Sequence, residues 1–148
     1  MAQHDPSQTT PVTTPAHSPT VNATPSHPIT TSVTAESARL LETARSSGSH
    51  RAADTLYGDK DTLLRQTLIA LLAGAELAEH SSPPEASLHV LSGSLRLVGD
   101  GRHWDLSAGD LVGIPPERHS VEALEDSVVL LTVLRDLPRS HDTASAPR

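Results

Sequence analysis

The chain has 148 residues and a formal net charge of −7, from 18 Asp and Glu against 11 Lys and Arg. It has no cysteine, which excludes disulfides and thiolate chemistry, and an acidic domain without a basic stripe argues against nucleic acid or an anionic membrane as partner. Tyr57 and Trp104 are its only Phe, Tyr or Trp residues, so a core must be built from Leu, Val, Ile and Ala, and no aromatic platform exists for stacking bases. Residues 1–33 hold six prolines, eight threonines and four serines with a single charge, Asp5, and only Val12, Val21, Ile29 and Val33 as branched apolar side chains. Such a stretch cannot bury enough surface to offset its ordering entropy, so a disordered tail is expected there. No apolar segment of signal-peptide length and no run long enough to span a bilayer is present, which predicts a cytoplasmic protein without a membrane partner. Asn22-Ala23-Thr24 fits the glycosylation pattern but has no secretory context.

Thr34 is a good N-cap, Glu36 complements the helix dipole in the first turn, and Leu40, Leu41 and Ala44 make a short apolar stripe before Gly48. These features predict a helix over residues 35–46, followed by a connector to Gly58. The segment "DTLLRQTLIALLAG" is ambiguous, because its leucines sit near helical spacing while its neighbours downstream read as strands. "ASLHVL", "SLRLV", "RHWDL", "LVGI", "HSVEAL" and "SVVLLTVL" are short runs divided by turn residues, with Asp100-Gly101 suited to a tight hairpin. Leu88 and Val90, Leu95 and Leu97, and Trp104 and Leu106 are each two apart and share a strand face. The continuous "VVLLTVL" predicts a strand covered on both faces. The organisation expected is a tail (1–33), a helix and connector (34–58), a β-barrel (59–137) and a second disordered tail (138–148).

Residues from about 62 to 135 resemble a small single-domain cupin of the RmlC-like superfamily. Gly74, His80 and Gly93 keep the spacing of the first cupin motif, with Ser82 in place of its second histidine and Ala86 in place of its glutamate. In the second motif Gly109, Asp110 and Pro115 match. There Glu117 replaces a glycine, His119 arrives one residue early, and Ala123 stands where an asparagine would follow. The resemblance implies an all-β fold, a double-stranded β-helix or jelly-roll barrel, with the one N-terminal helix and the tails outside it. It also implies that "TLLRQTLIAL" is a strand, against its helical spacing, and that the protein is a homodimer paired through strand edges.

The resemblance places a candidate divalent-metal site (iron, zinc, manganese or nickel) at the barrel mouth, with His80 and His119 as the ligands that carry over. Zinc and non-haem iron sites in enzymes use about three protein ligands, so one more is required. Glu85 is one residue out of phase with Ala86, and a one-residue shift along a strand turns a side chain to the other face. His89 is out of phase with Leu88 and Val90, and Glu76 is more distant in sequence. The favoured reading is therefore a degraded metal motif, with His80 and His119 facing each other in a polar pocket together with Ser82, Ala86 and Trp104. Arg65 and Arg96 reach an anionic ligand only if they point inward, and the alternation around Leu95 and Leu97 puts Arg96 outside. Asp110 reads as a turn residue. No catalytic residue is assigned, and His119-Ser120 lacks a nucleophile turn. The expected function is small-molecule binding or an accessory role without established catalysis. The alternatives are a metal-dependent dioxygenase or isomerase using His80 and His119, and an effector-sensing regulatory module.

Overall fold

The computed structural model describes residues 30–80 and 83–136. In chain order they form α1 (Val33–Ser46), β1 (Arg51–Tyr57), β2 (Leu64–Leu71), β3 (Glu76–His80), β4 (Glu85–Ser92), β5 (Ser94–Gly99), β6 (Arg102–Ser107), β7 (Leu111–Gly113), β8 (His119–Ala123) and β9 (Ser127–Leu134). The strands build two antiparallel sheets, one in the order β1-β2-β9-β4-β7 and one in the order β3-β8-β5-β6. The chain changes sheet from β2 to β3 and again at most later turns, which closes the sheets over one another as a jelly-roll barrel. None of the described helices is long and apolar enough to cross a membrane. The expected tails, 1–33 and 138–148, lie outside the described residues apart from 30–33.

Alternation decides which side chains meet. Ile69, Leu71, Leu88, Val90, Leu95, Leu97, Leu106, Val121, Ala123 and Val129 all fall in one phase of their strands and form the buried cluster between the sheets. The opposite phase of the larger sheet, Leu68, Ala70 and Val128 with half-buried Leu91 and Leu130, packs under Leu40 and Ala44 of α1. β9 is thus apolar on both faces because one face meets the barrel interior and the other meets the helix. The same double burial explains β2. Its two apolar phases together imitate helical spacing, yet it pairs with β1 on one side and with β9 along its whole length on the other.

Two local expectations differ from the structure. The helix begins at Val33, and its N-cap is Ser32, whose Oγ accepts a 3.2 Å hydrogen bond from the Ala35 amide; Thr34 lies inside the first turn. Residues 51–57, expected within a connector, are the edge strand β1. Only Ala52 and Leu56 pack on the helix-side cluster, so the apolar signal of this strand is weak, and it is held by its ladder to β2. The Asp100-Gly101 hairpin forms as expected, with φ of 51° and 69° at its two central residues.

On the outer face of the smaller sheet, Arg96 Nε and Nη2 donate to the two Asp105 carboxylate oxygens at 2.7 and 3.1 Å. The hydrogen bonds from Arg96 hold the Asp105 carboxyl below its usual range. A carboxyl whose pKa is lower in the folded state than in the unfolded chain stabilises above the unfolded value and loses that contribution as pH falls through the folded one. Urea midpoints measured between about pH 5 and about pH 3 should therefore fall less steeply for Asp105→Asn than for the parent. Identical acid dependence in the two proteins would show that the pair contributes nothing.

Candidate functional site

One end of the barrel carries the residues that the sequence singles out. His80 ends β3 and pairs in the ladder with His119 at the start of β8. Between Leu77 and His80 the register slips, so three steps along β3 match two along β8. Without that bulge His80 would not stand opposite His119. β8 places His119, Val121 and Ala123 on the inner face, and His119 is 3 % exposed. The His119 Nδ1 lies 3.1 Å from the Glu117 carbonyl oxygen. A carbonyl only accepts, so Nδ1 carries a proton in that contact. Across the ladder on the other side stands Gly99, whose added Cβ would come within 3.4 Å of the His119 Cβ. A side chain at position 99 would press on the Arg118 carbonyl oxygen, 3.3 Å from the added Cβ, and on His119.

The larger sheet closes the same end. His80 leads through residues 81–84 into Glu85 and Ala86; Ala86 pairs with Val133 of β9, and Val133 pairs with Arg65 of β2. Ala86 and Val133 share the inward phase of Leu88 and Val129, and Arg65 shares that of Ile69 and Leu71. One layer deeper the inner faces carry Thr67, Leu131, Leu88, Val112, Leu97, Val121 and Leu77, so a largely aliphatic floor lies beneath a polar rim. Trp104 belongs to that deeper layer, paired with Leu97 and half-buried against the core, with the Arg102 guanidinium carbon 5.5 Å from its ring centroid.

Arg65 differs from most of the described arginines. Arg39, Arg45, Arg96 and Arg102 pair with carboxylates, and Arg51 and Arg135 donate to backbone carbonyls. The Arg65 Nε is out of solvent with no hydrogen-bond partner, and no described carboxylate pairs with it. Leaving a buried donor unmade costs roughly 1–3 kcal/mol, more for a charged group. Arg96, as its neighbours' alternation requires, lies outside.

A profile of the cupin domain matches residues 67–134, from β2 through β9. The barrel is a cupin domain. Several hundred solved chains share its fold. A conserved Streptococcus pyogenes protein of unknown function is 26% identical over 61% of this chain and 78% of its own, with a TM-score of 0.54. An RmlC-like cupin from Desulfovibrio desulfuricans is also 26% identical, over 57% of this chain and 81% of its own, at 0.51. A salicylate 1,2-dioxygenase from Pseudaminobacter salicylatoxidans is 20% identical over 66% of this chain and 32% of its own, at 0.57, a likeness of fold. None of the curated proteins matches the sequence.

The cupin fold implies a metal at this mouth, and the donor set can be tested against that. Glu85 is exposed and in the outer phase of β4, beside Leu64, Ser87, Thr132 and Leu134 in a surface depression of about 310 Å³. His89 is also in the outer phase, paired with Leu130 and Leu111. Glu76 opens β3 and pairs with Glu122, at the opposite end of the strand from His80. Ser82 lies outside the described residues. None of the three third-ligand candidates therefore joins His119, and among the described residues no three His, Asp or Glu side chains converge. The described residues do not fit a three-ligand metal centre. Asp110 is a turn residue: its carboxylate accepts from the Ser107 amide at 2.8 Å.

Proposed function

We propose that this cupin binds a small molecule at the mouth around His119 and that its activity does not depend on a metal. The observation that supports the reading is a buried inner-face His119 with the bare Gly99 beside it on β5, together with Ala86 in the inward phase of β4, where the first motif would carry a carboxylate ligand. The aliphatic layer beneath the mouth favours a ligand with an apolar body. An accessory or binding role is preferred to catalysis, since among the described residues no three His, Asp or Glu side chains converge.

Elemental analysis of protein purified without a histidine tag, alongside His80→Ala and His119→Ala, tests this. The expected result is substoichiometric iron, zinc, manganese and nickel in all three. Stoichiometric metal in the parent that disappears in both variants would replace this reading with that of a metal-dependent cupin enzyme.

The protein is further proposed to act as a homodimer in the cytoplasm. Among the described residues β1 is the outer strand of its sheet, and Ala53 and Thr55 on it are exposed in the inward phase. Edges of this kind are commonly covered by a partner. Light scattering at micromolar concentration is expected to give twice the chain mass, and a clean monomer would refute it.

A further inference from the structure

We propose that Arg65 is a carboxylate anchor and that the ligand of the mouth is a small organic acid with an apolar body. This rests on the small-molecule reading and names the ligand's chemical class. Three observations meet at this residue. Strand phase sets Arg65 on the inner face at the same end of the barrel as His119, connected to it through Val133, Ala86 and the β3–β4 link. Its Nε is sealed from solvent and has no partner. Its cross-strand neighbours are hydrocarbon, Val133 and then Ala86.

An arginine in such a place needs an acceptor. The chain has 18 Asp and Glu residues and pairs several of them with arginines on its surface, yet no described carboxylate pairs with Arg65, and its buried Nε has no hydrogen-bond partner. A planar fork of donors matches a carboxylate in two parallel hydrogen bonds, and a low-dielectric surround strengthens them. A phosphate dianion fits less well, because a single arginine would leave much of its charge unmatched. The aliphatic layer of Leu131, Leu77 and Val121 beneath favours a hydrocarbon chain behind the carboxylate.

Three probes with one hydrocarbon body separate the possibilities: hexanoate, hexylamine and 1-hexanol, with inorganic phosphate as a fourth. Binding is read on the untagged full chain from the NMR resonances of the Arg65 Nε–H and the His119 ring. Hexanoate is expected to shift both and to bind better than the other three. Arg65→Met is expected to weaken hexanoate by about tenfold or more, roughly 1.4 kcal/mol, with 1-hexanol unaffected. Arg65→Lys, which keeps the charge and loses the fork, should fall between. Equal affinity for hexanoate and 1-hexanol, or full hexanoate affinity in Arg65→Met, overturns the anchor and leaves small-molecule binding standing. Preference for phosphate overturns the carboxylate class. No shift of either resonance with any probe overturns the anchor and the binding site together.

Discussion

Gly93→Ala is expected to cost the domain about 3–5 kcal/mol, a large share of the roughly 5–15 kcal/mol that holds a domain of this size together. Two independent penalties add at this position. Its φ is +79°, a conformation that costs an L-residue about 1–2 kcal/mol. The second penalty is space. A Cβ on Gly93 would run into the Asp126 carbonyl oxygen and the Ser127 Oγ, and would lie 2.8 Å from the Ser127 Cα. These are not flexible tips. Ser127 is fully buried, and its hydroxyl donates to the Ser94 carbonyl at 3.0 Å and to the Glu125 carbonyl at 2.8 Å. Gly93 is where the chain passes from β4 in the larger sheet to β5 in the smaller, and residues 126–127 are where it passes back from β8 to β9. The two crossings lie back to back, so neither can yield without opening a sheet. Gly74, the other glycine of the first motif, is an internal control: its φ is +84°, but nothing lies within 4 Å of an added Cβ. Gly74→Ala should therefore lose only the conformational part, about 1–2 kcal/mol. Urea unfolding followed by far-UV circular dichroism would compare them, and equal losses would show that the contact at Gly93 carries no cost.

The same positions show what could be read before the fold was known. Several strands from β4 to β8 were legible because one face is more buried than the other, so apolar residues recur every second position between turn dipeptides, whereas β9 was legible as one continuous apolar run. β2 was not legible by that rule, since Leu68 and Ala70 face the helix while Ile69 and Leu71 face the interior, and a strand buried on both faces has no alternation to show. Its assignment came from the resemblance to cupins. β1 went unread because an edge strand with mostly exposed side chains carries little apolar pattern. At the site, the outer phase of Glu85 and His89 follows from counting along β4. The bulge that sets His80 opposite His119 does not follow from any count, because a bulge changes phase without a sequence marker here. The inward phase of Arg65 became readable only once β2 was known to be a strand. Its missing partner is a property of three elements brought together and has no local signal at all.

Leu40→Asp is expected to detach α1 and to destabilise the whole domain by about 3–5 kcal/mol, through lost apolar burial and the cost of desolvating a carboxylate. Leu40 is 2 % exposed and Ala44 wholly buried, and with half-buried Val33 and Leu41 they are what binds the 14-residue helix to the sheet. A helix of that length is marginal alone in water, so losing the docking face should melt it rather than leave it swinging free. The effect reaches further than the helix. α1 lies outside the span matched by the cupin profile, yet it covers Leu68, Ala70 and Val128, all 0 % exposed, on the two central strands β2 and β9. Uncovering them turns the doubly buried "VVLLTVL" strand into an exposed apolar surface, which favours association. The Arg39 bridge to Asp54 at 2.8 Å cannot hold the helix in place, because both side chains are about half exposed and such pairs contribute about 1 kcal/mol or less. Native-state hydrogen exchange reads the outcome directly. Amides of Leu41 to Ala44 should lose their protection in Leu40→Asp, while those of β5 and β8, on the far sheet, should exchange only by global unfolding. Retained protection in the helix, or a urea midpoint within about 0.5 kcal/mol of the parent, would mean that the cupin barrel is complete without it.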